Sequence, residues 1–217
     1  MLIVLCHPSD VVPEPGERER WVAFFEPSGD DPSNLSRYFS DLSLGRLDAA
    51  SVRVTDWLDA GHPAAGAATV GGGAQRDLLG AWGESAAGAA GYDLGAEDGV
   101  VFGWNIDSDH GSIGGGRAVL AYRAGRPFAP TFMFHEVGHV LGLNHSRSVD
   151  DGIYGDRFDI MSAMSVWTYP DAWQRKAGPA ATALNLQRLR WLDDDRIHRS
   201  TPSRTTASSA SPSKAPP

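Results

Sequence analysis

The sequence predicts an α+β domain. Two observations carry that prediction. Short apolar runs of strand length alternate with stretches of helical spacing as far as about residue 125, and the pattern then changes to one strong helix, an irregular stretch and a last helix. Within one domain over 1–198, this gives an upper part of about 1–142 and a lower part of about 143–198.

Leu2–Leu5 is a continuous apolar run closed by the turn-prone His7-Pro8-Ser9-Asp10, which reads as a strand buried on both faces. Asp31-Pro32 offers a cap and first-turn proline for a helix over 34–44, with Leu35, Tyr38, Phe39 and Leu42 at helical spacing. Val52, Val54 and Trp57 alternate with Arg53 and Thr55 in a second strand, and the small residues of 61–73 read as a loop. Leu78, Leu79, Trp82 and Ala86 give a helix over about 75–90 despite Gly80, Gly83 and Gly88. Strands at 100–104 and 117–122 flank the glycine-rich 107–116, and Leu186, Leu189 and Leu192 mark the last helix over 182–192. The Ser/Thr/Pro/Ala-rich 199–217 has no large apolar residue to repay ordering, and reads as a disordered tail or linker.

Charge and composition exclude several classes. The formal net charge of the 217 residues is −8 with no basic stretch, so no counterion-release drive toward nucleic acid is expected. No run approaches the roughly 20 apolar residues of a membrane helix, and Met1–Cys6 lacks the parts of a signal peptide. The lone Cys6 rules out an intrachain disulfide and any multi-cysteine metal cluster, and reads as inert packing. A monomer is expected.

The chemistry concentrates in Thr131–Ser146. At about 100° per residue, His139 lies about 40° from His135 on the same helix face, with Glu136 beside them at about 100°. Met133, Phe134, Val137, Val140 and Leu141 occupy the opposite, core-facing arc. A catalytic zinc usually takes three protein ligands and leaves a fourth position for water. Gly142 can take positive φ, end the helix and turn the chain back so that His145 becomes the third ligand. Such a centre lowers the pKa of water to roughly 7, and Glu136 is placed to take its proton and pass it to a leaving amine. Three scattered histidines are the plain alternative, and the joint spacing with Glu136 and Gly142 argues against it.

His135-Glu136-x-x-His139-x-x-Gly142-x-x-His145 resembles the full metzincin metallopeptidase signature, and Tyr154–Ser162, with Met161 sixteen residues after His145, looks like the methionine turn of that clan. Tyr154-Gly155-Asp156 and the helix around Asn185–Leu192 are most similar to the gametolysin-type branch, whereas Ser146 after the third histidine is reminiscent of matrixins. The resemblance implies a zincin-like twisted mixed sheet with backing helices, an active-site helix, and an irregular C-terminal subdomain ending in a helix. It also implies a zinc-dependent endopeptidase, with one Zn2+ on His135, His139 and His145, Glu136 as general base and acid, and Met161 as an apolar pedestal. A polypeptide substrate would lie extended along an edge strand, for which Gly114–Tyr122 is the candidate. Secretion is implied too, with a cytosolic product as the alternative.

Val166, Trp167 and Tyr169 are candidate walls of a substrate pocket, Tyr169 being also a candidate oxyanion support because Ala163 stands where some metzincins have a tyrosine. Asp156 and Asp159 either brace the methionine turn, receive a ligand histidine's second N–H, or are ordinary loop acids, and they stand outside the catalytic set. Asp107–Ser112 has calcium-loop residues without the rest of a twelve-residue loop, so it reads as a solvated turn, with Ca2+ kept as a second candidate cofactor. His7, His62, His110 and His198 lack ligand spacing and read as surface residues. Two rival functions remain: a catalytically silent zinc-binding interaction module, which the intact Glu136 disfavours, and a zinc hydrolase of a non-peptide amide.

Overall fold

The computed structural model describes residues 1–147 and 152–197, so His198 and the tail expected over 199–217 lie outside the described residues. Its centre is a five-stranded sheet in the order β2-β1-β3-β5-β4, formed by β1 (Leu2–His7), β2 (Arg53–Asp59), β3 (Val100–Trp104), β5 (Arg117–Ala121) and β4 (Gly111–Gly114). The first four run parallel and β4 runs antiparallel to β5, which makes the sheet mixed.

Alternation along β1 sorts the core. Ile3 and Leu5 join one apolar cluster with Trp21, Phe24, Phe39 and Phe134, while Leu2, Val4 and Cys6 join another with Leu79, Phe102 and Trp104. Both faces of the sheet are therefore buried, as parallel strands require. On the first face lie α1 (Glu17–Phe25), α2 (Leu35–Leu42) and α5 (Pro130–Val140); on the second lies α4 (Gly73–Ala89). Trp21, Phe24, Phe39 and Phe134 of the first cluster are fully buried, each contributing about 2–3 kcal/mol by area. Tyr38 stacks on Phe134 at 3.9 Å between ring centroids, fixing α2 against α5. On α4, glycine is what permits close approach: a Cβ on Gly83 would lie 2.4 Å from Phe102 Cδ1.

The structure adds or moves several elements. Helix α1 was not expected; it begins after Gly16 in the left-handed region at φ 85° and buries Trp21, Phe24 and Phe25. The loop expected over 61–73 holds a short helix, α3 (Ala64–Ala67), and the glycine-rich segment holds β4. The expected edge strand at 114–122 is corrected: β5 is interior, paired on both sides, and β4 is the edge on that side, β2 being the other. The last helix is only α6 (Ala183–Arg188), with Thr182 at its N-cap position. Among the described residues between α5 and α6 are a 3-10 helix at Ile160–Ser165 and the two-residue strands β6 (Tyr169–Pro170) and β7 (Lys176–Ala177), joined by irregular chain. Arg175 ties this region to the start of α2: Nε bonds Asp171 Oδ2 at 2.8 Å and Nη1 bonds Asp31 Oδ2 at 2.9 Å. Among the described residues no helix is long and apolar enough to cross a membrane.

Candidate metal centre

Helix α5 starts with Pro130, whose missing N–H costs nothing in a first turn, and seats Met133, Phe134, Val137 and Val140 in the core. That anchoring turns His135, Glu136 and His139 toward an open cleft of about 400 Å³. The helix ends in a Schellman motif: Leu143 N donates to Gly138 O at 2.8 Å and Gly142 N to His139 O at 3.0 Å, with Gly142 at φ 93°. Only a residue tolerating that φ reverses the chain so soon, and the reversal brings the His145 ring within 4.5 Å of His139 and 5.4 Å of His135.

The three donor atoms lie within 4.8 Å of one another, close enough to hold a metal ion. The donor chemistry fits. His135 Nδ1 donates to Ile160 O at 3.1 Å and His139 Nδ1 to Leu143 O at 2.9 Å, so each Nε2 is left as a bare lone pair. Those two Nε2 atoms stand 3.1 Å apart, where neither has a proton to give the other. Imidazole nitrogens roughly 2.0–2.1 Å from a tetrahedral ion are spaced a little over 3 Å apart, which is the arrangement that relieves facing lone pairs. Burial also pushes the His135 pKa down to about 4, aided by its histidine neighbours and opposed by the Ile160 carbonyl. His139 and His145 are lowered by burial as well, so all three rings are in the neutral, ligating form near pH 7.

Glu136 is only 7% exposed, and its Oε2 accepts from Ser112 N of β4 at 2.7 Å. Burial pushes its pKa up to about 7, with the Ser112 N–H and the Arg76 guanidinium pulling the other way. Such a carboxyl can both take and release a proton near neutral pH.

Met161 is fully buried beneath α5; a Cβ on Gly138 would come within 2.7 Å of its Sδ. Asp159 braces this turn rather than a ligand histidine: Oδ1 accepts from Met161 N at 2.9 Å and Oδ2 from Asn185 Nδ2 at 3.1 Å. Asn185 also donates to Asn144 O at 3.1 Å, next to His145, and Ser146 N donates to Met161 O at 3.2 Å. Asp156 accepts from Phe158 N and stays local to the turn.

Val166, Trp167 and Tyr169 do not line this cleft. Trp167 is 54% exposed beside Arg157, and Tyr169 lines a separate depression with Tyr38 and Phe134. His110 is corrected from surface residue to cleft wall: it is half-buried, stacks on Tyr122 at 5.5 Å, meets Phe132 edge-on at 4.6 Å, and is depressed in pKa by burial and by Arg126. His7 and His62 stay outside the cleft. The cleft also contains Arg76, Ser112, Phe132 and Tyr154, none of which the spacing argument reached. Tyr154 Oη lies 3.1 Å from His145 Nε2, and its φ of 63° is unusual for a non-glycine residue. In the calcium candidate, Asp107 is paired with Arg123 at 3.0 Å and Arg126 at 2.9 Å, and Asp109 with Arg76 at 3.1 Å, so a cation there would have to displace guanidinium groups.

No protein-family model matches the chain, and searches of curated proteins and of solved structures find no match either.

Proposed function

We propose that this protein is a zinc-dependent endopeptidase of metzincin type. The observation that carries the reading is the pairing of two bare Nε2 atoms 3.1 Å apart with a near-neutral carboxyl on the same helix face. His135, His139 and His145 would hold the ion. When bound, a zinc ion supplies a Lewis acid that polarises a carbonyl and makes water more acidic.

The rest of the work falls to this chain's own groups. Ser112 N fixes Glu136 Oε2, leaving Oε1 to take a proton from water and to return it to the departing amine. The carbonyls of Ile160 and Leu143 hold two rings in the tautomer that keeps Nε2 free. Met161 and Leu143 seal the underside of α5 from water. A substrate polypeptide would lie extended beside β4, the one of the sheet's two edge strands that borders the cleft, through Ser112. The full-length histidine-glutamate signature and the methionine turn support the metzincin assignment, and secretion is proposed on that same resemblance.

The test is metal analysis of the purified protein combined with a peptide-library digest, with and without a zinc chelator. Internal cleavage that disappears with the metal and returns with zinc is expected. Cleavage that persists after exhaustive demetallation, or a metal-loaded protein that cleaves nothing, would overturn the reading.

A further inference from the structure

We propose that Arg76 selects the substrate, its guanidinium taking a carboxylate of a peptide in the cleft so that an acidic side chain beside the cleaved amide is preferred. This inference rests on the peptidase reading above. Arg76 lies on α4, which backs the opposite face of the sheet from α5, yet its side chain reaches the cleft that holds Glu136 and the three histidines. It does so past Gly111 on β4. A Cβ at that glycine would stand 2.2 Å from Arg76 Nη1 and 3.4 Å from Glu136 Oε2, so guanidinium and carboxylate flank the same point of the edge strand.

Asp109 Oδ2 lies 3.1 Å from Nε as an ion pair without a hydrogen bond, and Glu136 is a second acidic group that feels the Arg76 charge. Nη1 passes the edge strand at Gly111 on the side of Glu136, while Nη2 lies back toward Gly73 on α4, where a Cβ would stand 3.6 Å from it. Nη1 is thus the atom placed to donate a charge-assisted hydrogen bond to a carboxylate in the cleft. Among the described residues lining this cleft, Arg76 is the only permanently charged cation, in a chain whose formal charge is −8. Beyond His110 and Phe132, which both depressions share, a second hollow is walled by Arg126 and Lys176, so the cationic side continues. Lys176 is exposed and has no ion-pair partner among the described residues.

The experiment uses zinc-loaded full-length protein and pairs of fluorogenic peptides that differ only by Glu or Gln, scanned through the positions either side of the scissile bond. At one position the wild type should favour Glu by about tenfold in kcat/KM, the size of one well-placed charged contact. Arg76→Gln should bring the Glu/Gln ratio close to one and Arg76→Lys should restore part of it. The ratio cancels any general effect of the substitution on folding or on the chemical step. Asp109→Asn separates selection from mere bracing: the ratio stays or rises if Arg76 binds substrate, and collapses as in Arg76→Gln if its role is to hold the loop, which would overturn the proposal. Calorimetry of the same peptide pairs on zinc-loaded Glu136→Ala protein reads selection without turnover. A Glu preference in binding that needs Arg76, without any cleavage by the wild type, keeps Arg76 and sinks the peptidase. Equal kcat/KM and equal affinity for both peptides at every position sinks the Arg76 proposal and leaves the peptidase standing, and absence of both binding and cleavage overturns both.

Discussion

Glu136 Oε2 accepts the main-chain N–H of Ser112 at 2.7 Å, tying the carboxyl beside the imidazoles to the edge strand of the sheet. Because the donor is backbone, only the acceptor side can be varied. In Glu136→Ala the ligands remain, so metal content should stay near one ion per chain while peptide hydrolysis falls about 10²–10⁴-fold. Glu136→Asp, too short to keep the Ser112 contact, should fall by a similar factor. Parallel metal analysis and steady-state kinetics check both, and undiminished turnover in Glu136→Ala would remove this residue from the chemistry.

Adding zinc to chelator-treated protein should raise the thermal midpoint in a concentration-dependent way, because the ion binds only the folded arrangement of rings. At a free concentration about 1,000 times Kd the gain is roughly 4 kcal/mol. His139→Ala should abolish the shift in differential scanning calorimetry. An equal shift in that variant would place the ion elsewhere.

Gly138 and Met161 are in direct opposition, since an added Cβ would meet Sδ at 2.7 Å. Gly138→Ala should cost about 1–3 kcal/mol by overpacking, and Met161→Ala about 2–5 kcal/mol by leaving a cavity. The double variant should be less destabilised than the sum, because the smaller residue at 161 makes room for the new methyl. Strict additivity in urea unfolding would contradict this packing.

Asn185 joins Asp159, which is fully buried, to the main chain at Asn144 just before His145. Asn185→Ala should destabilise the fold by about 1–3 kcal/mol through the unsatisfied groups it leaves. It should also weaken metal binding about 10-fold or more, measured by competition with a chromophoric chelator, because the third ring is then held less firmly.

Cys6 is fully buried, and desolvation pushes its thiol up to about 12. It should resist thiol reagents at pH 8 in the native state and react fully in guanidinium chloride. Its folded pKa lies above the unfolded value, so the folded state holds the proton more tightly. That contribution is complete below about pH 9 and is lost as pH rises toward 12, by up to about 1.4 kcal/mol per pH unit. Cys6→Ala should therefore show a shallower decline of unfolding free energy between pH 9 and 10.5 than the wild type.

What was legible in the sequence is what depends on local periodicity. The ligand helix could be read because four-residue spacing fixes a face, and the glycine at 142 because a reversal there needs positive φ. The strand at 2–7 showed as an apolar run and the one at 53–59 as an alternation of apolar and polar residues, and strands at 100–104 and 117–121 were legible as well. Helix α1 was hidden because Glu17, Arg18, Glu19 and Arg20 dilute its apolar pattern and Pro-Gly before it signals only a turn. The edge strand β4 has no intrinsic preference for extension; it exists because β5 pairs with it. Arg76 and Tyr154 join the cleft through the path of the chain, which no spacing within one helix encodes.

The rings of His135 and His139 are steered by carbonyl oxygens of residues 160 and 143, not by side chains. No codon change at either position deletes a carbonyl, so mutational drift there leaves the steering intact as long as the backbone keeps its course. The aim of these two rings is thereby inherited with the chain trace itself, and the pressure to preserve it moves to whatever holds that trace, including the glycine at 142 and the Asp159–Asn185 brace.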